Sequence, residues 1–102
     1  MTHGAIYISD PEVKAVIHVH SKDLWDQLIG KVPTTSKDAK YGTPEIADEV
    51  MRLFRETDVK DKKIIVLGGH QDGILAFGSS LEEAGSVIIK HYQNFFGRNG
   101  RS

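Results

Sequence analysis

The chain has 102 residues, which is enough for one compact domain and too few for two. Thirteen Lys and Arg against fourteen Asp and Glu leave a formal charge of −1, so no basic excess points to nucleic acid or an anionic membrane. The absence of cysteine excludes a disulfide scaffold, a thiolate zinc finger and a cysteine nucleophile. No stretch has the pattern of a transmembrane segment or signal peptide, so we expect a soluble cytoplasmic protein.

The first clear element is a strand over residues 13–20, followed directly by a short helix. Side chains of different character alternate along these residues, and β-branched residues are frequent, which favours a strand. One face carries Val13, Ala15, Ile17 and Val19, and the other carries Lys14, Val16, His18 and His20. Ser21 is then the expected N-cap of a helix that Gly30 ends.

The middle of the chain contains a loop and an amphipathic helix. Residues 32–36 carry Pro, Thr and Ser in the manner of a loop. Thr43 as the N-cap and Pro44 at the first helical position predict the start of a helix. Its apolar positions form one stripe, which consists of Ile46, Ala47, Val50, Leu53 and Phe54. One face of this helix should therefore pack against the core while the other contacts water.

Two apolar segments further on, residues 64–67 and 74–77, predict neighbouring strands. The glycine-rich connection between them, residues 68–73, is too short for a parallel crossover and predicts an antiparallel hairpin. Ser80 and Glu83 have the spacing of a capping box, which opens a last helix. The predicted order is helix, strand, helix, helix, strand, strand, helix, which indicates a layered α/β domain with an at least partly antiparallel sheet.

This domain should be single and should extend over residues 1–96. Residues 97–102 carry no apolar side chain that could pack against it, and we expect them to form a flexible tail.

The histidines are the first candidates for chemistry. On a strand, His18 and His20 share a face with Cα atoms about 7 Å apart, so both rings can reach one ion. His70 lies in the glycine-rich turn and could bring a third ring, which would give a catalytic zinc arrangement with an open fourth position. The spacing is also typical of two polar residues on a solvated strand face. Packing explains His3 and His91 without a ligand.

Four segments in the same order resemble the class II aldolase/adducin family. They are AVIHVHS at residues 15–21, YGTPEIA at 41–47, GILAFG at 73–78 and LEEA at 81–84. HGAIY at residues 3–7 is also similar to the family segment that precedes the metal-binding strand. The resemblance covers most of the chain, from His3 to Tyr92. It implies a three-layer α/β/α sandwich around a mostly antiparallel sheet.

The resemblance also implies a metal-dependent activity. In this family three histidines hold a divalent ion, usually zinc, which polarises a ketose carbonyl and stabilises the enediolate. The nearest activity is retro-aldol cleavage or epimerisation of a small sugar phosphate. The expected partner is therefore a small phosphorylated sugar, with no nucleic acid and no membrane.

The identity of the third ligand stays open at this point. The family's two strand histidines correspond to His18 and His20. The family usually has a histidine directly before the hairpin glycine, where this chain has Asp72, with His70 two places earlier. We favour His70, because imidazole matches the other two ligands. Asp72 as the ligand, or as a hydrogen-bonding partner of a ligating imidazole, is the alternative.

Part of the family pattern has no counterpart in this chain. The acid/base glutamate and the phosphate contacts of the family correspond to positions upstream of residue 1, so the resemblance is to the C-terminal half of the domain, truncated at its N-terminus. Tyr41 is a candidate for the family's catalytic tyrosine by residue type only. Two alternatives to an enzyme follow, namely a non-catalytic adducin-like domain for metal binding or assembly, or a fragment of a longer aldolase. A half-domain would leave one sheet edge uncovered, so we expect a homo-oligomer.

Overall fold

The computed structural model of the chain describes residues 2–40 and 42–99, and it is a small α/β structure with one three-stranded antiparallel sheet. The elements are α1 (Thr2–Ser9), β1 (Ala15–His20), α2 (Lys22–Leu28), α3 (Pro44–Glu56), α4 (Val59–Lys62), β2 (Ile64–Val66), β3 (Gly73–Gly78) and α5 (Leu81–Asn99). The predicted order is confirmed except for α4, which the sequence analysis did not include. A single turn of four residues is too short to show helical periodicity.

The sheet has the strand order β1-β3-β2, and both neighbours of β3 run antiparallel to it. The predicted hairpin between β2 and β3 is therefore confirmed. Because β3 is central and helices cover it, all six of its residues are buried. The register places Leu75 between Ile65 on β2 and His18 on β1, and it places His20 opposite Gly73. This register carries the two histidines of β1 to the end of the sheet where the hairpin turns.

Helices pack against the sheet through two separate apolar clusters. One cluster joins α1, α3 and α4 to the side chains of Ile65, Leu75 and Phe77. The stripe predicted on α3 supplies its buried Ile46, Val50 and Leu53. The second cluster joins α2 and α5 to Ile64 and Ile74. Since neighbouring residues of a strand point to opposite faces, the two clusters lie on opposite faces of the sheet.

The predicted helix caps are confirmed in part. The Ser21 hydroxyl accepts a hydrogen bond from the Leu24 N–H at 3.3 Å, as an N-cap should. Thr43 is the N-cap of α3, but its hydroxyl donates to the Lys40 carbonyl at 2.6 Å and does not cap the helix. The Ser80 hydroxyl accepts from the Glu83 N–H, whereas the Glu83 carboxylate reaches back to the Ser79 N–H rather than to that of Ser80.

The ends of the elements differ slightly from the predicted bounds. Strand β1 begins at Ala15 rather than Val13, and β2 ends at Val66 rather than Leu67. Helix α5 extends to Asn99, so the first three residues of the predicted tail continue that helix, and residues 100–102 lie outside the described part of the chain. None of the helices in the described part is both long enough and apolar enough to cross a membrane.

Candidate metal centre

The candidate site is built on the face of β1 that carries His18 and His20. These residues share a face with Val16, which packs against the cluster of α1 and α3. Ile17 and Val19 point to the other face, as the predicted alternation requires. His18 is half-buried and His20 is exposed. Exposure on this face therefore increases along the strand, from Val16, which packs against the core, to the solvent-accessible imidazole of His20.

His70 comes to this site through the turn between β2 and β3. The His70 N–H donates to the Leu67 carbonyl at 3.1 Å, and the Gly73 N–H donates to the His70 carbonyl at 2.9 Å. These two bonds close successive turns, and the Leu67 N–H then donates to the Gly73 carbonyl at 3.0 Å. Asp72 has a positive φ of 67°, a conformation that Asp tolerates better than most residues. The compact turn carries the His70 ring over the end of β1.

The three imidazoles converge. Their ring centroids lie 4.9 Å apart for His18 and His20, 4.9 Å for His20 and His70, and 5.6 Å for His18 and His70. One ring nitrogen from each residue can be chosen so that all three lie within 4.8 Å of one another. Rotation of the side chains would be needed to bring all three nitrogens to one ion, because a zinc–nitrogen bond is about 2.0–2.1 Å long. Among the described residues, this group contains histidines alone, and Asp72 is not a member.

Two contacts outside the histidine group support the turn, and the sequence analysis did not assign either of them a role at the site. The Trp25 indole N–H donates to the Leu67 carbonyl at 3.0 Å, which ties α2 to the start of the turn. The hydroxyl of the buried Thr35 accepts from the Gly68 N–H at 3.0 Å. A Cβ on Gly68 would collide with the Thr35 carbonyl, so only glycine allows this close approach of the two backbones. A buried threonine in a loop and a tryptophan on a short helix give little sequence signal for such long-range contacts.

Gly73 makes room for the His70 ring. A Cβ at this position would lie 2.5 Å from Cδ2 of His70 and 3.1 Å from Cδ1 of Leu67. We expect Gly73→Ala to displace the imidazole and to weaken metal binding about 10-fold or more, since support of a ligand typically contributes a factor of about 10–100. Isothermal titration with zinc would measure this.

Gly85→Ala on α5 is the matched control, because the nearest atom to its added Cβ would be Cδ1 of Ile17 at 3.9 Å. This variant should bind zinc like the parent chain and should gain about 0.5–1 kcal/mol of stability from the better helix propensity. Equal zinc affinity in Gly73→Ala and the parent chain would show that the turn does not position His70.

Asp72 lies beside the candidate centre without joining it. The Asp72 carbonyl accepts from the Ser21 N–H at 2.9 Å, which fastens the turn to the end of β1. Its Oδ1 is buried and accepts no hydrogen bond from the described residues. A buried acceptor without a donor is unfavourable by about 1–3 kcal/mol. Asp72 as a partner of a ligating imidazole therefore stays a prediction.

The remaining candidates lie elsewhere or outside the described residues. His91 is half-buried on α5 and is not part of the histidine group. His3 falls within α1, for which the backbone alone is described at that position, and Tyr41 lies outside the described residues. Burial lowers the pKa of His91 below its usual 6.5, and the nearby positive charges of Lys90 and Lys62 lower it further.

This lowered pKa predicts a pH dependence of stability. The folded chain binds the proton of His91 more weakly than the unfolded chain. The stability that neutral His91 contributes to the fold is therefore complete above pH 6.5, and it is lost as the pH falls through 6.5 toward the lower folded pKa. We expect the metal-free parent chain to lose more stability than His91→Gln between about pH 7.5 and about pH 5.5. Urea unfolding at each pH would measure the difference, and the shared titration of the other histidines cancels between the two chains. If the stability of the parent chain and of His91→Gln changed equally with pH, the lowered pKa of His91 would be contradicted.

No family model matches this chain, and no curated protein matches it significantly.

Proposed function

We propose that this chain binds one divalent metal ion, zinc in the first place, through His18, His20 and His70. The observation that carries the proposal is the convergence of three imidazoles from β1 and from a turn about fifty residues later, with ligand atoms within 4.8 Å of one another. Two polar side chains on a solvated strand would not require a third histidine to fold back beside them. Imidazole nitrogen is a ligand that suits zinc, copper, iron and nickel, and zinc sites with three protein ligands keep one position open.

We further propose that the fold is the three-layer α/β/α arrangement of the class II aldolase/adducin family. The antiparallel sheet with helices on both faces supports this reading. The motif residues also lie on suitable elements, because AVIHVHS covers β1 and the N-cap of α2, while GILAFG forms β3. LEEA opens α5.

The proposed activity is retro-aldol cleavage or epimerisation of a small sugar phosphate. A bound divalent ion would supply a Lewis acid that polarises the ketose carbonyl next to the reacting carbon. The residues of this chain would hold the ion on three neutral imidazoles, and the turn tied by Trp25 and Thr35 would keep His70 in place. The exposed His20 leaves one side of the site accessible to a small molecule.

One observation favours the alternative of a non-catalytic adducin-like domain for metal binding or assembly. No carboxylate of the described chain joins the histidine group, although proton transfer at carbon needs a base. A positioned general base typically contributes a factor of about 10²–10⁴, so a metal site without one should turn over slowly or not at all. Self-association to a homo-oligomer also stays a prediction.

The test of the activity is an aldol-cleavage and epimerisation assay on ketose phosphates with the zinc-loaded chain. The proposed activity predicts turnover that His18→Ala abolishes and that His91→Ala, which changes a histidine outside the group, retains. A filled metal site without turnover would favour the binding or assembly domain. A chain that takes up no divalent ion would contradict both.

A further inference from the structure

We propose that the chain has a second, metal-independent site, a cationic cleft between the turn after α2 and helices α3 and α4, that binds a phosphate group. The cleft has a volume of about 540 Å³. This lies within the range of about 300–1,000 Å³ that small-molecule sites occupy. No histidine of the candidate metal centre lines it.

The charges of the cleft carry the proposal. Lys31, Arg52 and Lys62 line it together with the carboxylate of Asp58, while Glu49, which lies outside the lining, pairs with Arg52. The whole chain has a formal charge of −1, so this concentration of cations is local. Cations gathered around one cavity repel each other, and a bound anion converts that repulsion into attraction. Within the described residues, neither Lys31 nor Lys62 forms an ion pair, since the ion pairs there involve Lys22, Arg52 and Lys63.

The guanidinium of Arg52 is fixed by Glu49 before any anion binds. Its Nε donates to Oε2 of Glu49 at 2.8 Å and its Nη2 donates to Oε1 at 3.0 Å. These bonds fix the guanidinium plane and use two of its five N–H donors, so three remain. Glu49 in turn accepts from the Ser36 N–H at 2.6 Å, which secures the carboxylate as well. A fixed guanidinium loses little conformational entropy when it binds a planar or tetrahedral oxyanion.

The two threonine hydroxyls that line the cleft already form hydrogen bonds within the chain. Thr34 donates to the Val32 carbonyl at 2.8 Å and accepts from the Gly30 N–H at 3.0 Å. Thr57 donates to the Leu53 carbonyl at 2.6 Å and accepts from the Val59 N–H at 3.3 Å. Recognition must therefore come from the three cations. One forked guanidinium with two flexible ammonium groups matches a phosphate dianion better than a single carboxylate, because phosphate offers more oxygens and more charge.

The experiment is calorimetric titration of the full chain at constant ionic strength. The chain is first treated with EDTA, so that no bound metal ion can bind the phosphate. The probes are inorganic phosphate, glucose 6-phosphate and uncharged glucose. We expect saturable binding of the phosphates and none of glucose. Tighter binding of glucose 6-phosphate would identify an organic phosphate as the ligand, and equal binding would identify the phosphate group alone.

The variants are Lys31→Gln and Lys62→Gln, with Lys60→Gln as the matched control. Lys60 is an exposed residue of the same helix as Lys62 and does not line the cleft. Loss of one charge-assisted hydrogen bond should raise the Kd about 10-fold in each cleft variant, and the control should change it less than about twofold. All three positions are exposed, so the variants should fold. Absence of saturable phosphate binding, or equal weakening by Lys60→Gln, would overturn the proposal.

Discussion

His18→Ala and His70→Ala are each expected to lose bound metal, whereas the parent chain should retain about one divalent ion per chain. The physical reason is that each imidazole supplies one of three ligands, and the remaining two would compete poorly with water for the ion. We expect an affinity loss of at least about 100-fold, the upper end of what loss of a mere supporting contact produces. Elemental mass spectrometry of the purified proteins measures the metal content directly.

His91→Ala is the control for the removal of a histidine, because His91 lies on α5 outside the converging group. Its metal content should equal that of the parent chain. Loss of metal in His18→Ala with retention in His70→Ala would assign the third position to Asp72 or water. A parent chain that binds no metal after exposure to zinc would refute the site altogether.

Leu75→Ala is expected to destabilise the fold by about 2–5 kcal/mol, which is a large part of the roughly 5–15 kcal/mol that holds a typical domain folded. Leu75 is fully buried at the centre of β3, between Ile65 and His18 in the register. Its removal leaves a cavity in the cluster that joins α1 and α3 to the sheet. The free energy of unfolding in urea would measure the loss.

Leu81→Ala is the matched control, since the same side chain at the start of α5 is 67% exposed. It should change the free energy of unfolding by less than about 0.5 kcal/mol. A similar loss in the two variants would mean that β3 is not the centre of the core. The metal content of Leu75→Ala should also be measured, because the Leu75 position lies directly opposite His18.

Much of the local structure could be predicted because its causes are local. The alternation along β1 predicts that His18 and His20 share one face, and the structure has them there. The short glycine-rich connection required an antiparallel hairpin, and the register confirms it. The helix α4 was missed because one turn leaves no periodic pattern. Thr43 does not cap α3 through its side chain, because its hydroxyl is turned toward the Lys40 carbonyl, to which it donates.

Strand period, helix caps and connection length depend on neighbouring residues, so they predicted the α/β class of the domain and two of the three converging histidines. The position of His70, rather than Asp72, beside those histidines depends on long-range packing, because contacts with Trp25 and Thr35 from distant segments shape the turn. The same packing brings Lys31, Arg52 and Lys62 to one cleft. Residues so far apart in sequence become neighbours only when the helices pack on the sheet, and no local pattern encodes that distance.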